Sequence, residues 1–181
     1  MRRIIGFAIS VLYSLIKLSI IKLLNWNGLT FYPIERISPN VVTEFSHGSV
    51  STLGHLVKIR SGTKIQVRKG GLLKIGDDVK INYNCIVSCH GRIEIGKGTE
   101  FGPSVYVYDH DHNYRDGLEN NLFNTSSVII GENCWIGANT VILRGTSLGN
   151  RCVVGAGSVL KGNYPDGALI IQKRETTYKI C

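Results

Sequence analysis

From Ile130 to Pro165 apolar and polar positions recur in sixes: Ile130-Gly-Glu-Asn-Cys-Trp, Ile136-Gly-Ala-Asn-Thr-Val, Ile142-Leu-Arg-Gly-Thr-Ser, Leu148-Gly-Asn-Arg-Cys-Val, Val154-Gly-Ala-Gly-Ser-Val and Leu160-Lys-Gly-Asn-Tyr-Pro. An aliphatic residue opens every block, Gly follows it in four, and a small or β-branched residue fills the fifth place of the first five. A six-residue period predicts a parallel β-helix, with three short sides closing one triangular coil of about eighteen residues. The opening aliphatic points inward and stacks on its equivalent one coil away. The fifth residue also points inward, near a corner that admits only a small side chain. Gly and Asn suit the tight turns between sides. Because each coil touches only its neighbours, the core grows by stacking, and the repeated Ile, Leu, Val and Cys are read as core.

The same register can be followed upstream. Ile59, Ile65 and Val67 alternate with polar residues, as strands do, so coils are expected from about Val57. Blocks open at Ile75, Ile81 and Val87; two extra residues intervene; blocks then open at Ile95, Phe101 and Val107. Residues 33–56 are weakly patterned, with Pro33 and Pro39 breaking any helix, and short β segments are expected there. Between 109 and 127 Asp, His, Asn, Tyr, Arg and Glu replace core aliphatics. A gap in a strict solenoid means that a loop leaves the prism, and such insertions mark the binding face.

Residues 1–24 carry a long apolar run with Arg2, Arg3, Lys17 and Lys22. Twenty helical residues span about 30 Å, enough to cross a bilayer, but two lysines in the second half argue against a clean span. No small-residue cleavage site follows. The expectation is a helix at a membrane surface, its cations near anionic headgroups; a helix packed on a partner subunit is the other possibility. Trp26, Phe31 and Tyr32 follow as interfacial or junction aromatics. Three segments result: a hydrophobic helical segment over 1–32, a β-helix over 33–170 with its loop at 109–127, and a basic tail over 171–181.

The formal net charge is +8, with 21 Gly, 4 Pro and 5 Cys among 181 residues. The charge points to phosphates, an acidic membrane surface or acidic polymers as partners. Cys85, Cys134 and Cys152 take the inward fifth place of a repeat, Cys181 is near the end of the chain, and no pair has zinc-finger spacing. That pattern reads as a reducing compartment.

The chemistry is expected in Asp109-His-Asp-His-Asn-Tyr114. Three readings of these residues compete. One is a solvated polar loop. Another is zinc held by His90, His110 and His112. The third is a general base, since an unperturbed imidazole has a pKa of about 6.5 and can take a proton from a hydroxyl and return it. Asp109 or Asp111 could orient whichever imidazole reacts.

The repeats from roughly 55 to 170, with the Ile-Gly-x-x-(Cys/Thr/Ser) register and the Trp135-Ile136-Gly137 block after the loop, resemble the hexapeptide-repeat acyltransferases, in particular the sugar and polysaccharide O-acetyltransferase group. The resemblance implies an all-β fold, a left-handed parallel β-helix with one protruding loop, preceded here by an N-terminal α-helix. It implies a homotrimer with active sites between subunits, acetyl-coenzyme A as donor, no metal and no nucleic acid. In that group the catalytic His falls five places after the last inward aliphatic, which from Val107 is His112; His112-Asn-Tyr is similar to the family's His-Asp-Tyr form. His110, two places earlier, is the rival and is expected to face a different side of the corner. Asn82 matches the family's Asn near the acceptor. Asn84, His90, Asp109, Asp111 and Tyr114 are candidate acceptor contacts. Trp135, Gly137, Ala138, Gly155, Ala156, Lys161, Lys173 and Arg174 are candidate donor contacts. Ala168 to Glu175 stands where relatives have Gly-x-Pro-Ala. The implied reaction is direct acetyl transfer to a sugar hydroxyl of a surface polysaccharide or its lipid-linked precursor, at the cytoplasmic side of a bacterial membrane. A small soluble acceptor is the alternative.

Overall fold

Along each side of the chain's coils the inward aliphatics pair in register. Leu53, Ile75, Ile95, Ile130 and Leu148 are successive partners on the first side. Ile65, Val87, Val107, Ile142 and Leu160 are successive partners on the third. The computed structural model describes residues 2–24, 28–114, 123–173 and 179, with residues 2–5 as backbone alone. Among the described residues, parallel strands of two to four residues build a prism whose faces hold seven, seven and six strands. The coils are of the left-handed β-helix type, opposite to the usual hand of parallel crossovers.

The coils shrink along the axis. Ile59 pairs with Ile81, 22 residues on; Val87 pairs with Val107, 20 on; Ile142 pairs with Leu160, 18 on. The wide coils have four-residue strands on their third and first faces, such as Lys64–Val67 and Leu72–Ile75, and each buries two side chains. The two extra residues after Val87 belong to this wider form, since Ile86–Cys89 and Arg92–Ile95 are both four-residue strands. Coils also extend further back than the regular spacing from Val57 shows: the first strand is Leu29–Thr30, paired with Ser51 and Thr52.

The fifth-place residues close the corners by hydrogen bonding. Thr140 Oγ1 donates to Gly137 O at 2.7 Å, Ser158 Oγ to Gly155 O at 2.7 Å and Thr99 Oγ1 to Gly131 O at 2.8 Å. The thiols of Cys85, Cys134 and Cys152 do the same towards Gly102, Gly149 and Pro165 carbonyls. A small polar group is therefore needed at these places, because a turn carbonyl facing the core must find a donor.

The helix Arg2–Leu24 lies across the wide end. Three of its polar side chains face the prism, whereas Ser19 and Lys22 are exposed. Ser14 is buried and exchanges hydrogen bonds with the Ile37 backbone, Tyr13 Oη donates to Pro39 O at 3.0 Å, and Lys17 Nζ donates to Val41 O. Buried Leu18 plugs the core between them. Lys17 thus binds a carbonyl of the first coil rather than standing free for headgroups. The opposite helix face exposes Ile9, Leu12, Ile16, Ile20, Leu23 and Leu24. The side chains of Arg2 and Arg3, and Trp26, lie outside the described residues.

Glu35 takes an inward corner place in the first coil, level with Val57 through the Arg36–Lys58 pairing. It is 1% exposed, and neither carboxylate oxygen makes a well-formed hydrogen bond among the described residues; the Val57 backbone only weakly opposes the effect of burial. Burial pushes its carboxyl up from 4.5 to about 8. Between those two values the unfolded chain has released the proton that the fold retains, so stability falls as pH rises from 4.5 to 8. Glu35→Gln is expected to remove that fall. Thermal melts should show the variant gaining about 3 kcal/mol over the parent at pH 7 and nothing near pH 4; equal gains at both would refute the assignment.

Candidate active site

The third face of the fourth coil ends at Tyr106–Tyr108, and the chain does not turn directly into the first face there. Asp109 turns inward and is buried, residues 110–112 peel outward, and a short antiparallel pair forms with Phe123–Thr125 before Val128–Ile130 resumes the prism. Ser126 N donates to Asp109 O at 2.9 Å and closes the base of this excursion. The excursion thus opens at a corner, where a departing chain costs least core.

Asp109 joins two coils. Its carboxylate accepts the backbone N–H of His90 at 2.8 Å and of Gly91 at 2.7 Å, from the coil below, and lies 3.1 Å from His110 Nδ1. Burial works to raise this carboxyl, but the hydrogen bonds from His110, His90 and Gly91 outweigh it and hold the group below the usual carboxylate range. Asp109 is therefore a fixed anion that orients one imidazole. Asp111 does not share that role. It points outward and pairs with Arg144 Nε at 2.6 Å, tying the excursion to the next coil.

His90 and His110 stack with ring centroids 3.6 Å apart. Burial, then neighbouring His110, lowers the His90 pKa, so His90 stays neutral near pH 7. A neutral ring beside His110 leaves room for only one positive charge on the stack. His112 is exposed and packs on Phe123, which also meets His110 edge-on. Being two apart in a strand, His110 and His112 face the same side, contrary to the expectation of different sides. Both line one open cleft of about 700 Å³ with Ser46, Arg68, Ser88 and His90. Tyr114 is exposed beyond them.

The other sequence-derived candidates fall elsewhere in the same chain. Asn82 and Asn84 stand at the corner between second and third faces, where Asn84 adopts φ +57° as a turn residue. Gly137, Ala138, Gly155 and Ala156 continue that corner in later coils, and Trp135 projects from the second face between Glu100 and Val153. Lys161 follows the third face, on the same corner as the histidines, and Lys173 is exposed near the narrow end. Arg174 lies outside the described residues. Gly137 has a structural reason of its own: a Cβ there would come within 2.6 Å of Ala156 N in the next coil. At Gly155 the nearest atom would be 3.3 Å away, so open backbone suited to a narrow thioester arm is found at the later glycine. Burial pushes the Cys89 thiol up to about 12 and raises Cys85 and Cys134, which leaves them protonated and unsuited to acylation.

Sequence reasoning offered Asp109 and Asp111 as alternatives for orienting an imidazole; the structure sets Asp109 against His110 and turns Asp111 to Arg144. It missed Phe123 and Arg144, whose places beside the histidines depend on the short antiparallel pair and on the coil above.

Residues 127–161 match the family model described as the hexapeptide repeat of succinyl-transferase. The chain is 29% identical over 119 residues to a putative lipopolysaccharide biosynthesis O-acetyl transferase of Escherichia coli (strain K12), covering 60% of this chain and 61% of that one. Among solved structures it is similar to a maltose O-acetyltransferase from Clostridium difficile 630, with 26% identity, TM-score 0.52, and coverage of 77% of this chain and 62% of that one. The fold is also that of an N-acyltransferase from Bacillus cereus solved with dTDP-4-amino-4,6-dideoxyglucose and coenzyme A, at 20% identity and TM-score 0.66, over 82% of this chain and 80% of that one. The chain thus spans about three fifths of the length of the O-acetyltransferases it resembles. Residues 127–161 thus carry the hexapeptide repeat that the model describes, and coils of the same register build the left-handed parallel β-helix fold along the chain.

Proposed function

We propose that this protein transfers an acetyl group from acetyl-coenzyme A to a hydroxyl of a sugar, within a surface polysaccharide or its lipid-linked precursor. The observation that carries the reading is the Asp109–His110 pair at the mouth of the excursion. A buried anion holding one imidazole nitrogen leaves the other free to take a proton, the arrangement general-base catalysis requires. The names of the E. coli and C. difficile proteins support a sugar-type acceptor, and the B. cereus complex supports coenzyme A as the donor's carrier.

His110 is the base in this reading, although the count from Val107 favours His112. His110 is held from Nδ1, whereas His112 packs on Phe123 at the exposed rim. His110 Nε2 takes the acceptor's hydroxyl proton as that oxygen attacks the thioester carbon. Asp109 stabilises the imidazolium, and neutral His90 adds no opposing charge. His110 then returns the proton to the departing sulfur. His112 contacts the acceptor. Trp135, Gly155, Ala156, Lys161 and Lys173 are the donor's contacts. Because the histidines and most of these contacts lie on different corners of one prism, the complete site is formed between subunits of a homotrimer, with Asn82 supplied across the interface. Purified protein, acetyl-coenzyme A and a panel of free and lipid-linked saccharides test the reading by thiol release. No release with any saccharide refutes it.

The same reading places the protein on the inner face of a bacterial membrane, through the outward apolar side of the helix. A helix that turns Ser14, Tyr13 and Lys17 towards its own prism and Ile9, Leu12, Ile16 and Ile20 away from it is amphipathic in the inverted sense and fits an apolar medium. Flotation of the full chain with phospholipid vesicles is the expected result; Leu12→Ser with Ile16→Ser should abolish it. A parent chain that stays at the bottom of the gradient excludes this localisation.

A further inference from the structure

The second face carries a column of cations near its wide end. Arg36 pairs with Lys58, and Lys58 with Lys80, as in-register neighbours on parallel strands. Such neighbours lie about 4.8 Å apart, and like charges placed so are destabilising. Arg60 joins them from the adjoining corner, with its guanidinium 5.2 Å from the centre of the Tyr83 ring and Nη1 donating to Tyr83 Oη at 3.0 Å. Compensation is partial. Lys80 is paired with Glu100 at 2.7 Å and Asp78 at 3.9 Å, but Arg36, Lys58 and Arg60 have no ion pair among the described residues. Arg36 Nε is buried without a hydrogen-bond partner. Burial, then Arg60, Arg36 and Lys80, lowers the Lys58 pKa, the response of a cation crowded by others.

These side chains line a concavity. Lys58, Arg60, Lys80, Asn82 and Glu100 surround a cleft of about 250 Å³ floored by Ile81 and Phe101. One end of the cation column meets the helix, where the Arg36 guanidinium lies 5.0 Å from the centre of the Phe7 ring. The column therefore starts at the apolar surface and climbs from the first coil to the third, towards the coil that bears the histidines.

We propose that this cleft binds a phosphate or diphosphate group, with Lys58 and Arg60 as its principal ligands and Arg36 and Lys80 at either end. A phosphate anion would relieve the like-charge column and accept donors from several side chains at once; along the prism axis it would lie one to two coils below the level of His110, on a different face of the same chain. The group has two sources: the diphosphate that joins a lipid to the acceptor sugar, or headgroups of the bilayer itself. Only the choice of source rests on the transferase reading.

The test uses the full chain and inorganic pyrophosphate, followed by calorimetry. The double variant Lys58→Met, Arg60→Met keeps the aliphatic bulk and removes two charges. Wild type is expected to bind pyrophosphate, and the double variant at least about tenfold more weakly, without a lower melting temperature, because neutralising stacked like charges costs no packing. Absence of binding to the wild type, or equal binding by both, overturns the inference. A second arm compares flotation with phosphatidylcholine vesicles and with vesicles containing phosphatidylglycerol. If the bilayer supplies the phosphate, the double variant loses the added affinity for the anionic vesicles. If the acceptor supplies it, flotation is the same for both proteins. Neither measurement uses turnover, so failure here leaves the acetyl-transfer reading intact, and failure of thiol release leaves this site intact.

Discussion

Replacing His110 with Ala is expected to lower thiol release from acetyl-coenzyme A about a thousandfold, within the range that a positioned general base contributes. His112→Ala is expected to lose only about tenfold, mainly through a raised KM for the acceptor. The contrast follows from how each ring is held. His110 is half-buried, stacked on His90 and 3.1 Å from a buried carboxylate. His112 is at the exposed rim against Phe123. Asp109→Asn sharpens the comparison. The wild-type carboxylate receives three donors, from His90 N, Gly91 N and His110 Nδ1; an amide offers one acceptor oxygen and brings its own N–H groups. The variant should lose kcat while KM for the acceptor changes little, and its pH profile should differ from that of the parent. If His112→Ala produces the thousandfold loss and His110→Ala does not, the base is the one counted from Val107.

Gly131→Ala should be among the most damaging single-methyl changes to the fold. A Cβ at that place would stand 2.5 Å from both C and O of Gly149 and 2.7 Å from Asn150 N. These are backbone atoms of the next coil, fixed by Gly131 N donating to Leu148 O at 2.9 Å and Gly149 N to Tyr164 O at 2.9 Å. A side chain in their place could rotate away; a coil cannot. The cost should reach or exceed about 3 kcal/mol, the upper end for overpacking, and appear as a large loss of melting temperature or of soluble protein. Gly6→Ala is the control. It sits in the helix, where an added Cβ meets nothing within 4 Å, and should stabilise by about 0.5–1 kcal/mol. A Gly131→Ala protein that melts with the parent would show that neighbouring coils can separate.

Gly131 also shows where reading residues one block at a time falls short. The second place of a repeat invites Gly for turn conformation, but here the requirement is close approach: Gly96 faces Gly131, and Gly131 faces Gly149, at 2.5 Å from a Cβ to the neighbouring backbone. The pair Gly137-Ala138, read as bare backbone for the donor, serves the same stacking at its first position. The period therefore named the right residues for a reason that only adjacent coils make visible.

The six-residue pattern alone determined the prism, its inward aliphatics, the small polar corner residues and the place where the chain departs from it. Those features repeat at short range, and a local period records them directly. Tertiary structure decided what depends on one coil lying over another. Asp109 reaches the His90 amide 19 residues back, and Lys58 meets Arg36 and Lys80 each 22 residues away. Coil length changes from 22 to 18 along the axis, so no fixed count predicts which side chains become neighbours. The helix is the same case: its composition marked it as apolar, but the end of the prism chose which face would be buried, taking Ser14, Tyr13 and Lys17 because the first coil offers carbonyls that need donors.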